Sequence, residues 1–256
     1  MLIRELRLIG VALQFLSRCP LPPAWLQPWQ PPWLNDCVRH FPLVGALLGA
    51  AAGAVLWGTG QLWNPWIAAL LALAFSAWAC GGFHEDGLAD TCDGLGGAVS
   101  RERALAIMKD SRIGSYGALG LLFVTALRVA ALAALAARDL QVAAWALVWV
   151  GAAARWLPVA LMGLLPYAGD AEHAKAKPLA IGLNLQPAGW ALLWLLALAA
   201  ALPLTVRAFA LSAGVLLVLL CTLRAWLRRR LGGYTGDTLG ASEQLAEAAL
   251  LLALAA

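Results

Sequence analysis

Residues 81–97 read GGFHEDGLADTCDGLGG, and they place His84, Glu85, Asp86, Asp90 and Asp93 within ten positions. The stretch before them, residues 41–83, carries no Asp, Glu, Lys or Arg at all. A dense block of charge beside so apolar a run requires a cause. At about 100° per residue in a helix, Asp86, Asp90 and Asp93 (i, i+4, i+7) fall within roughly 60° of one another. Three carboxylates then share one face, with Glu85 on its flank and glycines at 81, 82, 94, 96 and 97 at either end. Solvated acidic faces usually interleave Lys or Arg, and none stands between positions 67 and 99. Unneutralised, the carboxylates repel, and a hard divalent cation with oxygen ligands relieves them. Mg²⁺ prefers such donors and commonly shares them with substrate phosphates. The expected metal ligands are therefore Glu85, Asp86, Asp90 and Asp93, and His84 beside them is a candidate base, ligand or hydrogen-bond donor.

The rest of the chain determines where that cluster sits. Of 256 residues, 62% are hydrophobic and 12% charged, the mean hydropathy is +0.77, and 13 are Trp. These values exclude a soluble domain and indicate a polytopic α-helical membrane protein, a single membrane-embedded catalytic domain over residues 1–256. Apolar segments at about 42–60, 66–82, 117–137, 140–165, 188–206, 208–227 and 239–256 predict seven spans. Several are near or below the roughly 20 residues a span needs. Residues 2–18 predict an interfacial helix ended by Pro20, Pro22 and Pro23; with no small-residue cleavage site, they read as mature sequence. The Trp and Pro of residues 24–40 suit the headgroup belt. The five cysteines form no CxxC pair and suit apolar packing. Nothing points to a nucleic-acid partner, and a homo-oligomer is left open.

Lys and Arg in the connections set the orientation. With the N-terminus inside, one side collects Arg4, Arg7, Arg18, Arg39, Arg101, Arg103, Lys109, Arg112, Lys175, Lys177, Arg228, Arg229 and Arg230, and the other only Arg138 and Arg207. The positive-inside rule then puts loops 83–116, 166–187 and 228–238 in the cytoplasm together. Two of them carry further chemistry. Residues 100–116, SRERALAIMKDSRIGSY, predict a surface amphipathic helix presenting Lys109 and Arg112, with Asp110 and Ser111 between them, as a phosphate clamp. Residues 232–240, GGYTGDTLG, hold Asp237 and lead into Glu243 and Glu247. Acidic residues in a span are costly and need partners, and so do Arg128 and Arg155, either of which could pair with such carboxylates or bind substrate. Asp237 is expected to join the metal or substrate shell.

The motifs resemble a known family. GGFHEDGLADTCDGLGG with IMKDSRIGSYGALG (107–120) is similar to the signature of adenosylcobinamide-GDP ribazoletransferases, also called cobalamin-5'-phosphate synthases. QFLSRCPLP (14–22), FPLVGALLG (41–49) and GGYTGDTLGA (232–241) extend the resemblance along nearly the whole chain. One departure is Ser17-Arg18-Cys19 in place of Thr-Arg-Leu. The resemblance implies a Mg²⁺-dependent enzyme of the cell inner membrane. It would join α-ribazole, or its 5'-phosphate, to adenosylcobinamide-GDP and release GMP. On that reading Lys109, Ser111, Arg112 and Asp237 contact substrate. Two other classes are weighed against it. A CDP-alcohol phosphotransferase pattern begins at Asp86-Gly87, but its Arg is missing; a cation transporter would carry its carboxylates mid-span.

Overall fold

In the computed structural model, residues 2–27, 30–97, 100–169 and 185–256 are described, and among them the chain is helical with no β-strand. The helices are α1 (Leu2–Leu16), α2 (Trp33–Asp36), α3 (Phe41–Gly60), α4 (Pro65–Cys80), α5 (Phe83–Leu95) and α6 (Arg101–Met108). They continue as α7 (Ser115–Arg138), α8 (Leu140–Leu164), α9 (Gln186–Ala201), α10 (Val206–Arg230) and α11 (Gly236–Ala255).

Local chemistry explains the boundaries. Asn64 caps α4 by accepting from the Trp66 and Ile67 amides, with Pro65 in the first helical position. Asp139 caps α8 in the same way through Gln141 and Val142. Thr235 and Thr238 form a reciprocal capping box at the start of α11. Gly81 and Gly82 both adopt left-handed backbone (φ 74° and 70°), which stops α4 and lets α5 leave at a 90° bend. The cluster-bearing helix thus turns away from its apolar predecessor.

Helix α8 is the axis of the bundle, its span 83% buried, packed on α3, α11, α9, α7 and α10. Its contact with α3 is backbone-close. A Cβ at Gly45 would lie 2.1 Å from the Gly151 carbonyl oxygen, and one at Gly49 2.2 Å from that of Leu147. The glycines at spacing four are a packing seam. Gly49→Val should therefore destabilise the purified protein by about 1–3 kcal/mol, read as a lower thermal midpoint in detergent. An unchanged midpoint would show that the seam relaxes.

All seven apolar segments are helical, but the count of seven spans is not confirmed. Four helices are long and apolar enough to cross a bilayer among the described residues, or five if bent α4–α5 acts as one. At about 1.5 Å per residue the 16-residue α9 reaches only about 24 Å. Helix α11 is long enough, but its polar residues are buried inside the bundle instead of facing lipid.

The polar connections meet at one end. Arg101 donates to the carbonyls of Leu231 (2.7 Å) and Ala168 (3.0 Å), and Arg230 to that of Gly97 (2.8 Å). Tyr167 and Tyr234 join by a backbone bridge and an edge-to-face ring contact of 5.6 Å. Most of loop 166–187, with Lys175 and Lys177, lies outside the described residues. The N-terminal helix docks on residues 36–40. Glu5 accepts from Arg39 (2.9 Å) and pairs with His40 (3.0 Å), while Leu2, Ile3 and Leu6 stay exposed as an interfacial helix requires.

The expected helix over residues 100–116 is shorter. Helix α6 ends at Met108, and Ser115 and Tyr116 already belong to α7.

Candidate active site

Helix α5 carries the aspartates as its periodicity dictates, with Asp86 exposed and Asp90 and Asp93 half-buried. Asp93 has a second task. Its Oδ2 accepts from the Gly114 amide (2.7 Å) and its Oδ1 from the Gly117 amide (2.8 Å). It thus caps α7 from another helix, placing negative charge at that helix's N-terminus. Only glycine allows the approach, since a Cβ at Gly114 or Gly117 would sit 2.5 or 2.4 Å from an Asp93 oxygen. The cap starts α7 at Ser115.

Helix α11 closes the other side. A Cβ at Gly87 would lie 2.8 Å from the Asp237 carbonyl oxygen and 3.2 Å from the Cα atoms of Asp237 and Gly240. The Gly-rich turn of residues 232–240 is thereby seated on α5 between Asp86 and Asp90. Two segments far apart in the chain form one wall.

His84 and Glu85 face elsewhere. His84 is buried, and its Nδ1 lies 3.9 Å from Glu243 Oε2. Glu85 Oε1 accepts from Gln244 Nε2 (3.2 Å) and lies 3.6 Å from Arg128 Nη1, while its Oε2 is buried without a hydrogen bond. Neither side chain joins the aspartates, so the structure divides the expected ligand set of four. Among the described residues no three His, Cys, Asp or Glu side chains converge as a ready cage.

Behind α5 lies an ionic network inside the bundle. Arg128 of α7 pairs with Glu247 and donates to Gln244, and Arg155 of α8 bonds Glu247 (3.4 Å). Arg155 Nη1 also lies 3.0 Å from Glu243 Oε1, a charge contact out of line for a hydrogen bond. The costly span residues are each other's partners. Two guanidinium groups among three carboxylates hold α5, α7, α8 and α11 together where no water could.

The expected phosphate clamp is placed less directly. Lys109 caps the end of α6 and is exposed, as is Ser111. Arg112 bonds Asp110 (2.6 Å), and those hydrogen bonds draw the Asp110 carboxyl down to about 2. The loop is still tethered to the cluster, because Gly114, two residues after Arg112, is bound to Asp93.

A sequence model of the family described as Cobalamin-5-phosphate synthase matches residues 8–255, which include every helix of this site. The chain belongs to that family. Curated relatives agree. It is 54% identical to the adenosylcobinamide-GDP ribazoletransferase of Leptothrix cholodnii over 254 residues, covering 98% of this chain and 96% of that protein. It is 36% identical to the enzyme so named from Polaromonas naphthalenivorans, with 96% of each covered. For that of Vibrio cholerae the identity is 39%, over 98% of this chain and 94% of the relative. No solved structure matches.

Within this cobalamin-5-phosphate synthase fold, three participants escaped the sequence reading. Gln244 sits between Glu243 and Glu247 and links the network to Glu85. Gly114 and Gly117 form the cradle for Asp93. A polar residue between two intramembrane acids and a glycine pair three apart at a helix start were the available signals.

Proposed function

We propose that this protein transfers the adenosylcobinamide-phosphate group of adenosylcobinamide-GDP to α-ribazole or its 5'-phosphate, releasing GMP. The observation that carries the reading is the Asp237 turn seated on Gly87 beside Asp86 and Asp90, in a chain of the cobalamin-5-phosphate synthase family. That arrangement brings the Asp237 backbone onto α5 beside Asp86 and Asp90, where its carboxylate would add to theirs. The donor chemistry fits Mg²⁺, which takes hard oxygens, usually one or two carboxylates completed by substrate phosphates and water, and so needs no full protein cage. Asp86 and Asp90, joined by Asp237, would hold it. Bound there, Mg²⁺ supplies charge neutralisation for the diphosphate and the departing GMP.

The remaining residues act by position. Asp93 fixes the start of α7 against α5, and Glu85 with Gln244 and Arg128 sets the roll of α5 so that Asp86 faces outward. Lys109, Ser111 and Arg112, on the loop tethered at Gly114, would meet phosphate oxygens. In the reaction the ribazole hydroxyl oxygen bonds the phosphorus on the corrinoid arm and loses its proton. The bond from that phosphorus to the bridging oxygen breaks, and GMP leaves with the electron pair. The Lys and Arg asymmetry of the connections supports a cytoplasmic-facing site in the inner membrane.

The test is direct. Purified protein in detergent is given adenosylcobinamide-GDP and α-ribazole, and nucleotide and corrinoid products are separated by chromatography. GMP and the joined corrinoid should form in equal amounts and stop on chelation of divalent cations. GMP release without α-ribazole would make the enzyme a hydrolase, and turnover undiminished by chelator would remove the metal from the mechanism.

A further inference from the structure

A diphosphate held at the aspartate edge brings its own negative charge, so the mouth of the site needs a fixed cation. Beyond the Arg112 loop, several arginines are otherwise engaged: Arg128 and Arg155 with buried glutamates, and Arg101 and Arg230 with backbone carbonyls. Arg18 is placed differently. It follows the C-terminal end of α1, and its amide donates to the Ala79 carbonyl (2.8 Å) in the last turn of α4. Its side chain lies over Gly81, where a Cβ would meet Arg18 Nε at 2.6 Å and Cζ at 3.4 Å. The left-handed corner thus leaves a side-chain-free notch, and the guanidinium occupies it.

That notch borders the aspartate face. The Gly82 carbonyl accepts the Asp86 amide (2.9 Å), so the corner that seats Arg18 is the first turn under Asp86. Phe15, three residues before Arg18, packs edge-on against Phe83 at 5.6 Å between ring centres. Phe83, Asp86 and Asp90 stand at i, i+3 and i+7, one helix face. The end of α1 is therefore laid along the edge that bears the carboxylates, and Arg18 is exposed there, without an ion pair among the described residues.

We propose that Arg18 is a substrate-binding residue that grips the diphosphate of the nucleotide-activated corrinoid from the α1 side. This rests on the substrate reading above. The guanidinium offers a planar fork suited to two phosphate oxygens at once. Its backbone anchor at Ala79 and its seat on Gly81 restrict the side chain before substrate arrives, which lowers the ordering cost of binding.

GDP and guanosine are the probes, titrated by calorimetry into the purified full chain with Mg²⁺, alongside steady-state kinetics. Arg18→Ala should weaken GDP binding roughly 10- to 100-fold, as expected for losing hydrogen bonds to a charged group. Guanosine affinity and the KM for α-ribazole should stay at parent values, while the KM for adenosylcobinamide-GDP rises. Arg18→Lys keeps the charge but not the fork, so it should fall between parent and Ala; it carries the test if the Ala variant does not insert. GDP affinity within about twofold of the parent in both variants overturns the proposal. So does an equal loss for guanosine, which would mean a collapsed pocket. A parent protein that binds no GDP overturns the substrate reading itself, and the role of Arg18 with it.

Discussion

Asp86→Asn and Asp90→Asn are each expected to lower turnover by about 100-fold or more, the scale seen when one preorganised electrostatic contact to a transition state is removed. The substitution changes charge and hardly changes shape, and Asp86 is exposed, so the fold should be retained. The contrast with Asp93 makes this diagnostic. An amide at position 93 offers one acceptor oxygen where Gly114 and Gly117 each use one, so Asp93→Asn should also cost about 1–2 kcal/mol of stability. Asp237→Asn should raise the Mg²⁺ concentration needed for half-maximal rate. Combined with Asp86→Asn it should cost no more than the worse single change, since groups serving one centre are not additive. Rates, Mg²⁺ titrations and thermal midpoints on the four single variants and the double variant decide the matter. Near-parent activity in both Asp86→Asn and Asp90→Asn would remove the aspartate face from the chemistry.

The largest expected stability effect lies in the buried network. Arg128→Met leaves Glu247 deprived of its Arg128 partner and takes from Gln244 its link to α7. Breaking a buried ion pair from one side costs about 3–5 kcal/mol because a charge remains uncompensated. Glu247→Leu should cost a similar amount, since both Arg128 and Arg155 then lose a carboxylate. The double variant Arg128→Met/Glu247→Leu should recover much of the loss, although Arg155 still keeps Glu243. Denaturant titration in detergent gives the three values. Singles that each cost under about 1 kcal/mol would show that water reaches the network and replaces the missing partner.

Local and long-range information divide cleanly here. The helical class and the aspartate face were legible in the chain, because apolar segment length and a 3.6-residue period are properties of neighbouring residues. That the intramembrane charges need partners was legible too, since a bilayer interior offers no water. The sequence left Arg128 and Arg155 either to pair with such carboxylates or to bind substrate; they pair with Glu243 and Glu247 because α7 and α8 flank α11. Hydropathy also could not tell that the polar residues of α11 are buried in protein. The same holds within the acidic stretch. One residue step separates Glu85 from Asp86 by about 100°, but only the packing of α5 on α11 at Gly87 and Gly240 sends Glu85 inward and seats the Asp237 backbone on α5. Asp93 became a cap, and Arg18 came to lie over Gly81, through contacts between segments whose spacing follows no local period; their positions were decided by tertiary packing alone.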